Sequence, residues 1–315
     1  FSLYLNYTQS WINEIMPRKP FPGFHPGIYK EEVMKFNKYE DPLLHFLKSG
    51  SPKGRWLKNV ILPTYKEDKN LLKSNDIKIG IHIHVYYLDL LDEILKAIIL
   101  NKTKPDLLIT TPFQKDVIKI KKKCFLNGLQ IKKILVTPNI GRDIGPFVTG
   151  VGKFIDSNYD FYAHIHTKKV VHVDKLIAQE WREFLISNLL GNKGLNMIDK
   201  IICSFQKDKL LGLVFPDDPN CCSWTLNLEI AKNFGSKMGL KYFPKHFNFP
   251  IGTMFWARKN ALSPLFNLNL DWDSYPKEPL PNDGTVLHSI ERLIPLINES
   301  QGFEYSVTNV PSITR

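Results

Sequence analysis

Between Lys78 and Thr167 the chain alternates four β-like runs with three helical patterns, and nothing else in it limits the fold as much. "KIGIHIHVYY" reads as a buried strand, "LDLLDEILKAIILN" as an amphipathic helix and "PDLLITTP" as a second strand. "FQKDVIKIKKKCFLNG", "IKKILVTPN", "IGPFVTGVGKFID" and "YDFYAHIHT" continue as helix, strand, helix, strand. Strand, helix, strand in that order closes as a right-handed crossover, so the expected fold is α/β, a doubly wound, mostly parallel sheet flanked by helices. Such sheets bind ligands beyond the carboxyl ends of their strands. Those ends are His84 to Tyr87, Thr110 to Pro112, Thr137 to Asn139 and His166 to Lys169.

The rest of the chain is organised around this unit. Residues 1–75, with helix-like patches around "PRKPFPGFHPG", are expected to form a helical appendage or linker, and residues 76–315 the main domain. Beyond Lys169, two helical patterns lead to a strand at "LLGLVFP", then a strand entering a helix at "FPIGTMFWARKNAL", and a last helix at "DGTVLHSIERLIPLIN". No apolar run reaches the roughly eighteen residues of a membrane span, and the start has neither methionine nor signal-peptide order, so the chain reads as a segment of a soluble protein. Cys124, Cys203, Cys221 and Cys222 lack metal-ligand spacing and read as reduced, which favours the cytoplasm. The formal charge of +11 suits a polyanion, an anionic membrane face or a phosphate-bearing substrate. No nucleic-acid-reading motif is present.

Candidate chemistry gathers at the strand ends. In "PNIGRDIGPF", Gly141 and Gly145 would let backbone approach a ligand; the plainer alternative is a tight turn with Arg142 and Asp143 paired on the surface. "HIHTKK" sets His164 and His166 on one strand face, followed by Thr167, Lys168 and Lys169. A metal there would need a third ligand, and none is evident. Two ammonium groups beside a diphosphate would instead neutralise charge on a leaving group, work otherwise done by a divalent cation. Asp283, in "NDGTVLHSIER", reads as a helix cap or as a general base for an acceptor hydroxyl, with Glu278, Asp273 and Asp271 as competitors. Arg292, beyond His288 and Glu291 on the same helix, would reach a phosphate or pair with a carboxylate. "GTMFWARKNAL" offers Thr253 and Trp256 to a sugar, although aromatic residues in such a run are more often core.

Taken in order, "NIGRDIGPF", "HIHTKK", "EWREFLISNLLG", "GTMFWARKNAL" and "NDGTVLHSIER" resemble the rhamnan synthesis protein F family from about Lys78 to Asn309. "DPLLHFLKSGSPKGRW" resembles the segment that commonly precedes such domains in large bacterial polysaccharide-building enzymes. The resemblance implies a glycosyltransferase of cell-surface polysaccharide assembly with a GT-A-like fold. Its type donor is dTDP-L-rhamnose and its acceptor a growing or lipid-linked glycan.

In GT-A enzymes an acidic metal motif stands where this chain carries His164, His166 and Lys168, so the resemblance points to metal-independent transfer with lysines replacing the cation. The family's Glu-rich stretch is reduced here to "PKEPLPNDGT", which concentrates the base assignment on Asp283. The nucleotide base is expected near His84, Thr110 and Thr111 and the diphosphate near Gly141, Arg142 and Lys168, with Asn139, Asp143, Gly145, His164, His166, Thr167 and Lys169 also expected to bind the donor. A single base opposite the leaving group implies inversion. Three alternatives stand beside this one: another hexosyl donor, a non-catalytic glycan-binding module, and a peripheral membrane adaptor.

Overall fold

A computed structural model describes residues 17–34, 40–67, 77–167 and 175–313. Lys168 and Lys169 lie outside the described residues. Eight strands form one sheet, in the spatial order β1-β8-β6-β7-β5-β2-β3-β4. They are β1 (Val60–Ile61), β2 (Ile79–His84), β3 (Asp106–Thr111), β4 (Ile131–Val136), β5 (Phe161–His166), β6 (Leu211–Pro216), β7 (Phe255–Arg258) and β8 (Glu304–Thr308). Every pairing is parallel except those of β7, which runs antiparallel to both β5 and β6. The expected α/β class with a mostly parallel sheet is therefore present.

The four strands read from sequence are β2 to β5. Between them lie α3 (Leu91–Ile99) and α4 (Val117–Leu126). In α3, Leu91, Ile94, Leu95 and Ile98 recur at helical spacing and are all buried, while Asp92 and Glu93 favour the first turn electrostatically. The third connection differs from the continuous helix expected: Pro146–Gly152 is π-helical and only Lys153–Asn158, α5, is α-helical. A π turn spends an extra residue per turn and is frequent at functional sites. Here it follows the glycine-spaced turn and lays Phe147 on the sheet.

Two apolar layers cover the sheet. One packs α3, α4, α6 (Lys175–Leu189) and α7 (Met197–Lys207) against Ile81, Ile83, Ile109 and Ile165. The other packs Phe147, α8 (Leu228–Ser236), α9 (Ser263–Asn267) and α10 (Val286–Ser300) against Leu108, Tyr162, Leu213 and Phe255. Because side chains alternate, the residues between those isoleucines, His82, His84, His164 and His166, all turn to the second layer.

The N-terminal residues are tied into the sheet rather than set apart from it at residue 75. Helices α1 (Pro26–Glu32) and α2 (Pro42–Lys48), capped by His25 and Asp41, enclose a small core of Phe24, Tyr29, Phe46 and Trp56. β1 then pairs with β8, and Lys19 forms a buried ion pair with Asp217 beyond the end of β6. No helix among the described residues is long and apolar enough to cross a membrane, and no disulfide forms.

Candidate functional site

The site begins with a hydrogen-bonded chain in the sheet. Register places His82 beside His164 and His84 beside both His166 and Thr110. Thr110 Oγ1 lies 2.9 Å from His84 Nδ1 and 2.8 Å from His82 Nε2; His82 Nδ1 lies 2.9 Å from His164 Nδ1. His164 Nε2 faces Asp143 Oδ2 at 3.6 Å. One proton arrangement satisfies every step: His84 N–H donates to Thr110, whose O–H donates to His82, which donates to His164, which points its remaining N–H at the Asp143 carboxylate. Burial pushes the His84 pKa down to about 3 and also lowers those of His82 and His164, so all three are neutral donors and acceptors at physiological pH. Phe147 stacks on His164 at 4.4 Å between ring centres and closes the chain from above.

His166 serves a second link. Its Nε2 donates to Gly252 O at 2.8 Å, while Gly252 N donates to Glu291 Oε1 at 2.6 Å, joining the tip of β5 to α10. His166 Nε2 also lies 3.7 Å from Asp143 Oδ2. Arg292, the next residue on α10, lies 3.6 Å from Asp283 Oδ1 and bonds Ser223 O and Thr225 Oγ1. It therefore pairs with carboxylates, one of its two expected roles. Asp283 accepts from the Thr225 hydroxyl and from Asn227 Nδ2 at 2.6 Å. Burial opposes its ionisation, but those hydrogen bonds and the Arg292 charge outweigh it and hold the carboxyl below its usual range. The cap of α10 is Thr285, which frees Asp283 from that role. Its side chain remains 28% exposed, open to a substrate.

Arg142, Thr225 and Thr253 hold positive φ of 51°, 49° and 57°, a conformation that costs a non-glycine residue about 1–3 kcal/mol and gathers at functional sites. Arg142 reaches across the site mouth to Glu278 Oε1 at 3.0 Å, so Glu278 holds a loop in place. Gly141 and Gly145 do allow a close approach, but of the turn to itself and to Tyr275: a Cβ on Gly141 would stand 2.8 Å from Gly145 Cα and 3.1 Å from the Tyr275 ring.

Several expected contacts are corrected. Trp256 is fully buried and donates to Leu189 O at 3.0 Å, so it cannot stack on a sugar. Thr110 and Thr111 are also fully buried, and His84 is nearly so, which removes them as contacts to a nucleotide base. Thr167 accepts from the amides of Tyr86 and Tyr87, both at 2.9 Å, and so shapes the end of β2. Thr253 is buried with its hydroxyl toward Glu291. Asn139 is exposed beyond β4. Half-buried aromatic rings do stand where the base was expected: Tyr86 packs edge-on against Tyr87 and Phe113, at 4.9 and 5.2 Å between centres. Their signal was present in "HVYY" and "TTPF", whereas Thr225 and Asn227, more than fifty residues from Asp283 in a loop, carried none.

His166 Nε2 is committed to Gly252 O and His164 Nδ1 to His82, and no group of three or more His, Cys, Asp or Glu among the described residues could hold a metal.

A glycine-spaced turn, a short helical stretch, a strand and a late carboxylate before a helix all meet at the carboxyl edge of a mostly parallel α/β sheet. Residues 31–303 match the family model described as "Rhamnan synthesis protein F". The chain belongs to that family, and the match includes α2, which lies N-terminal to the stretch from Lys78 to Asn309, but only the last two residues of α1. Relatives described as "Uncharacterized protein WxcX", from two strains of Xanthomonas campestris pv. campestris, are 33% identical over 231 residues, 72% of this chain and 32% of theirs. The chain thus spans about a third of the length of those relatives. A cytidylyltransferase from Leptospira borgpetersenii aligns over 75% of this chain and 77% of its own, at 12% identity and a TM-score of 0.37. Glucosyl-3-phosphoglycerate synthase from Mycobacterium tuberculosis with Mn2+ and UDP-glucose aligns over 80% and 77%, at 11% identity and 0.37. Likeness at that level does not bear on what this chain binds.

Proposed function

We propose that the chain is a nucleotide-sugar glycosyltransferase domain of cell-surface polysaccharide assembly, with Asp283 as general base and L-rhamnose from dTDP-L-rhamnose as the transferred sugar. One observation carries the reading: a carboxylate held anionic by Thr225, Asn227 and Arg292, yet partly open, at the carboxyl edge of the sheet. An acceptor hydroxyl beside Asp283 gives its proton to the carboxylate as its oxygen bonds the anomeric carbon. The bond from that carbon to the diphosphate breaks, and the nucleotide diphosphate leaves with the electron pair. Attack opposite the leaving group inverts the anomeric centre.

Lys168 and Lys169 follow directly on Thr167 in the chain, and their proposed task is to neutralise the departing diphosphate. The commitment of His164 and His166 to other partners supports metal-independent transfer. Tyr86, Tyr87 and Phe113 replace His84, Thr110 and Thr111 as the surface on which the nucleotide base stacks. The acceptor is an oligosaccharide or lipid-linked glycan.

Isothermal titration with dTDP-L-rhamnose and with other nucleotide sugars, in excess EDTA, tests this reading. The expected result is binding that survives EDTA and weakens about tenfold or more when Lys168 and Lys169 are both changed to Ala, a loss of roughly 1.4 kcal/mol. Binding that requires a divalent ion, or that ignores the double substitution, would overturn the lysine role. Affinity for glycan with none for any nucleotide sugar would mark a non-catalytic module.

A further inference from the structure

Helix α4 has two faces, and the fold uses one of them. Ile120 and Cys124, four residues apart, are buried against the sheet layer. On the opposite face Ile118, Lys122 and Phe125 fall on one stripe, at spacings of four and three, with Lys121 on one flank and Lys119 and Leu126 on the other. Ile118 and Phe125 are each 79% exposed and Leu126 71% exposed. A single exposed apolar side chain needs no explanation, but three on one ten-residue helix, interleaved with exposed lysines, are not accounted for by folding.

The charge on this helix is also one-sided. Residues 117–126 hold four lysines and no acid, and of these Lys123 is turned inward to Asp92 at 2.5 Å. The edge strand β4, next in the chain, continues the surface with exposed Lys132 and Val136.

We propose that this surface docks on an anionic lipid bilayer. α4 lies in the plane of the headgroups, Ile118, Phe125 and Leu126 reach beneath them, and Lys119, Lys121, Lys122 and Lys132 meet the phosphates. A nucleic acid or an acidic protein would take the lysines and leave the three apolar side chains in water. An apolar protein surface would cover the side chains and bury the lysines. A layer of anionic phosphate over hydrocarbon accepts both sets at once. α4 begins just after Phe113, at the carboxyl end of β3, so this docking also sets the candidate site beside the bilayer, where a lipid-linked acceptor would be held. The docking itself stands whether or not the chain transfers sugar.

Vesicle co-sedimentation of the 315-residue chain tests the proposal, comparing pure phosphatidylcholine with mixtures containing phosphatidylglycerol. Binding is expected only to the anionic vesicles. It should fall about tenfold or more in Ile118→Glu/Phe125→Glu and in Lys121→Glu/Lys122→Glu. Lys209→Glu/Lys241→Glu, an equal charge change at exposed loop positions elsewhere, should retain most of the binding. No binding to anionic vesicles overturns the proposal. An equal loss in the control pair shows attraction by net charge alone and also overturns it. So does an Ile118→Glu/Phe125→Glu chain that binds vesicles normally but changes its sedimentation coefficient without lipid, because that face would then be a contact between proteins.

Discussion

At the scale of single residues, the site depends on how neighbours set the chemistry of one group. Asp283 is held below the usual carboxylate range against the opposing effect of burial, chiefly by the Thr225 hydroxyl and the Asn227 amide, with Arg292 adding to them. A depressed folded-state pKa means that the anion is present above it and is lost as pH falls through it. Thr225→Ala removes one donor, so the acid limb of the kcat/KM profile should move to higher pH while the alkaline limb stays. An unmoved acid limb would mean that Thr225 does not tune the base. Asp283 was legible in the sequence because "NDG" precedes a helix, but its partners come from a loop that no local pattern marks. Trp256 shows the reverse failure: a short run mixing aromatic and basic residues reads equally as sugar platform or core, and only the bond to Leu189 O decides it.

At the scale of elements, β2, β3 and β5 bury a polar chain inside a parallel sheet, where side chains are normally apolar. Its histidines are kept neutral, above all by burial, with His84 pushed down to about 3 from an ordinary value of 6.5. The unfolded chain takes up protons near pH 6.5 while the folded one does not. The associated stability is complete above that pH and is lost progressively as pH falls from there toward about 3. Each neutral buried histidine contributes a slope of about 1.4 kcal/mol per pH unit within that window. Urea unfolding should therefore show lower stability near about pH 5.5 than near about pH 7, with a shallower dependence in His84→Gln. Equal stability at the two pH values would contradict the neutral chain. The strands themselves were legible from their apolar runs. β1 and β8 were not, because two residues and five residues with a polar start give periodicity little to work on. The antiparallel sense of β7 is a property of the order in space, which no run of residues encodes.

At the scale of the molecule, the N-terminal helices and the sheet form one structure. Lys19 and Asp217, 198 residues apart, are both almost fully buried, and Asp217 also accepts from Gly23 N at 2.6 Å. Lys19→Ala leaves that carboxylate buried without its cation and should cost about 3–5 kcal/mol in urea unfolding. A loss under about 1 kcal/mol would show that the N-terminal unit is held by its apolar core alone. The strand–helix alternation that begins at Lys78 suggested a boundary at residue 75, but the ion pair and β1 cross it. The central claim is that this whole arrangement carries Asp283 to an acceptor hydroxyl. Sugar transfer by Asp283→Asn, measured together with nucleotide-sugar affinity, tests it most directly. The account predicts that turnover falls about a hundredfold or more while affinity stays within about threefold. Turnover within about threefold of the unchanged chain, less than about 1 kcal/mol in barrier, would contradict it.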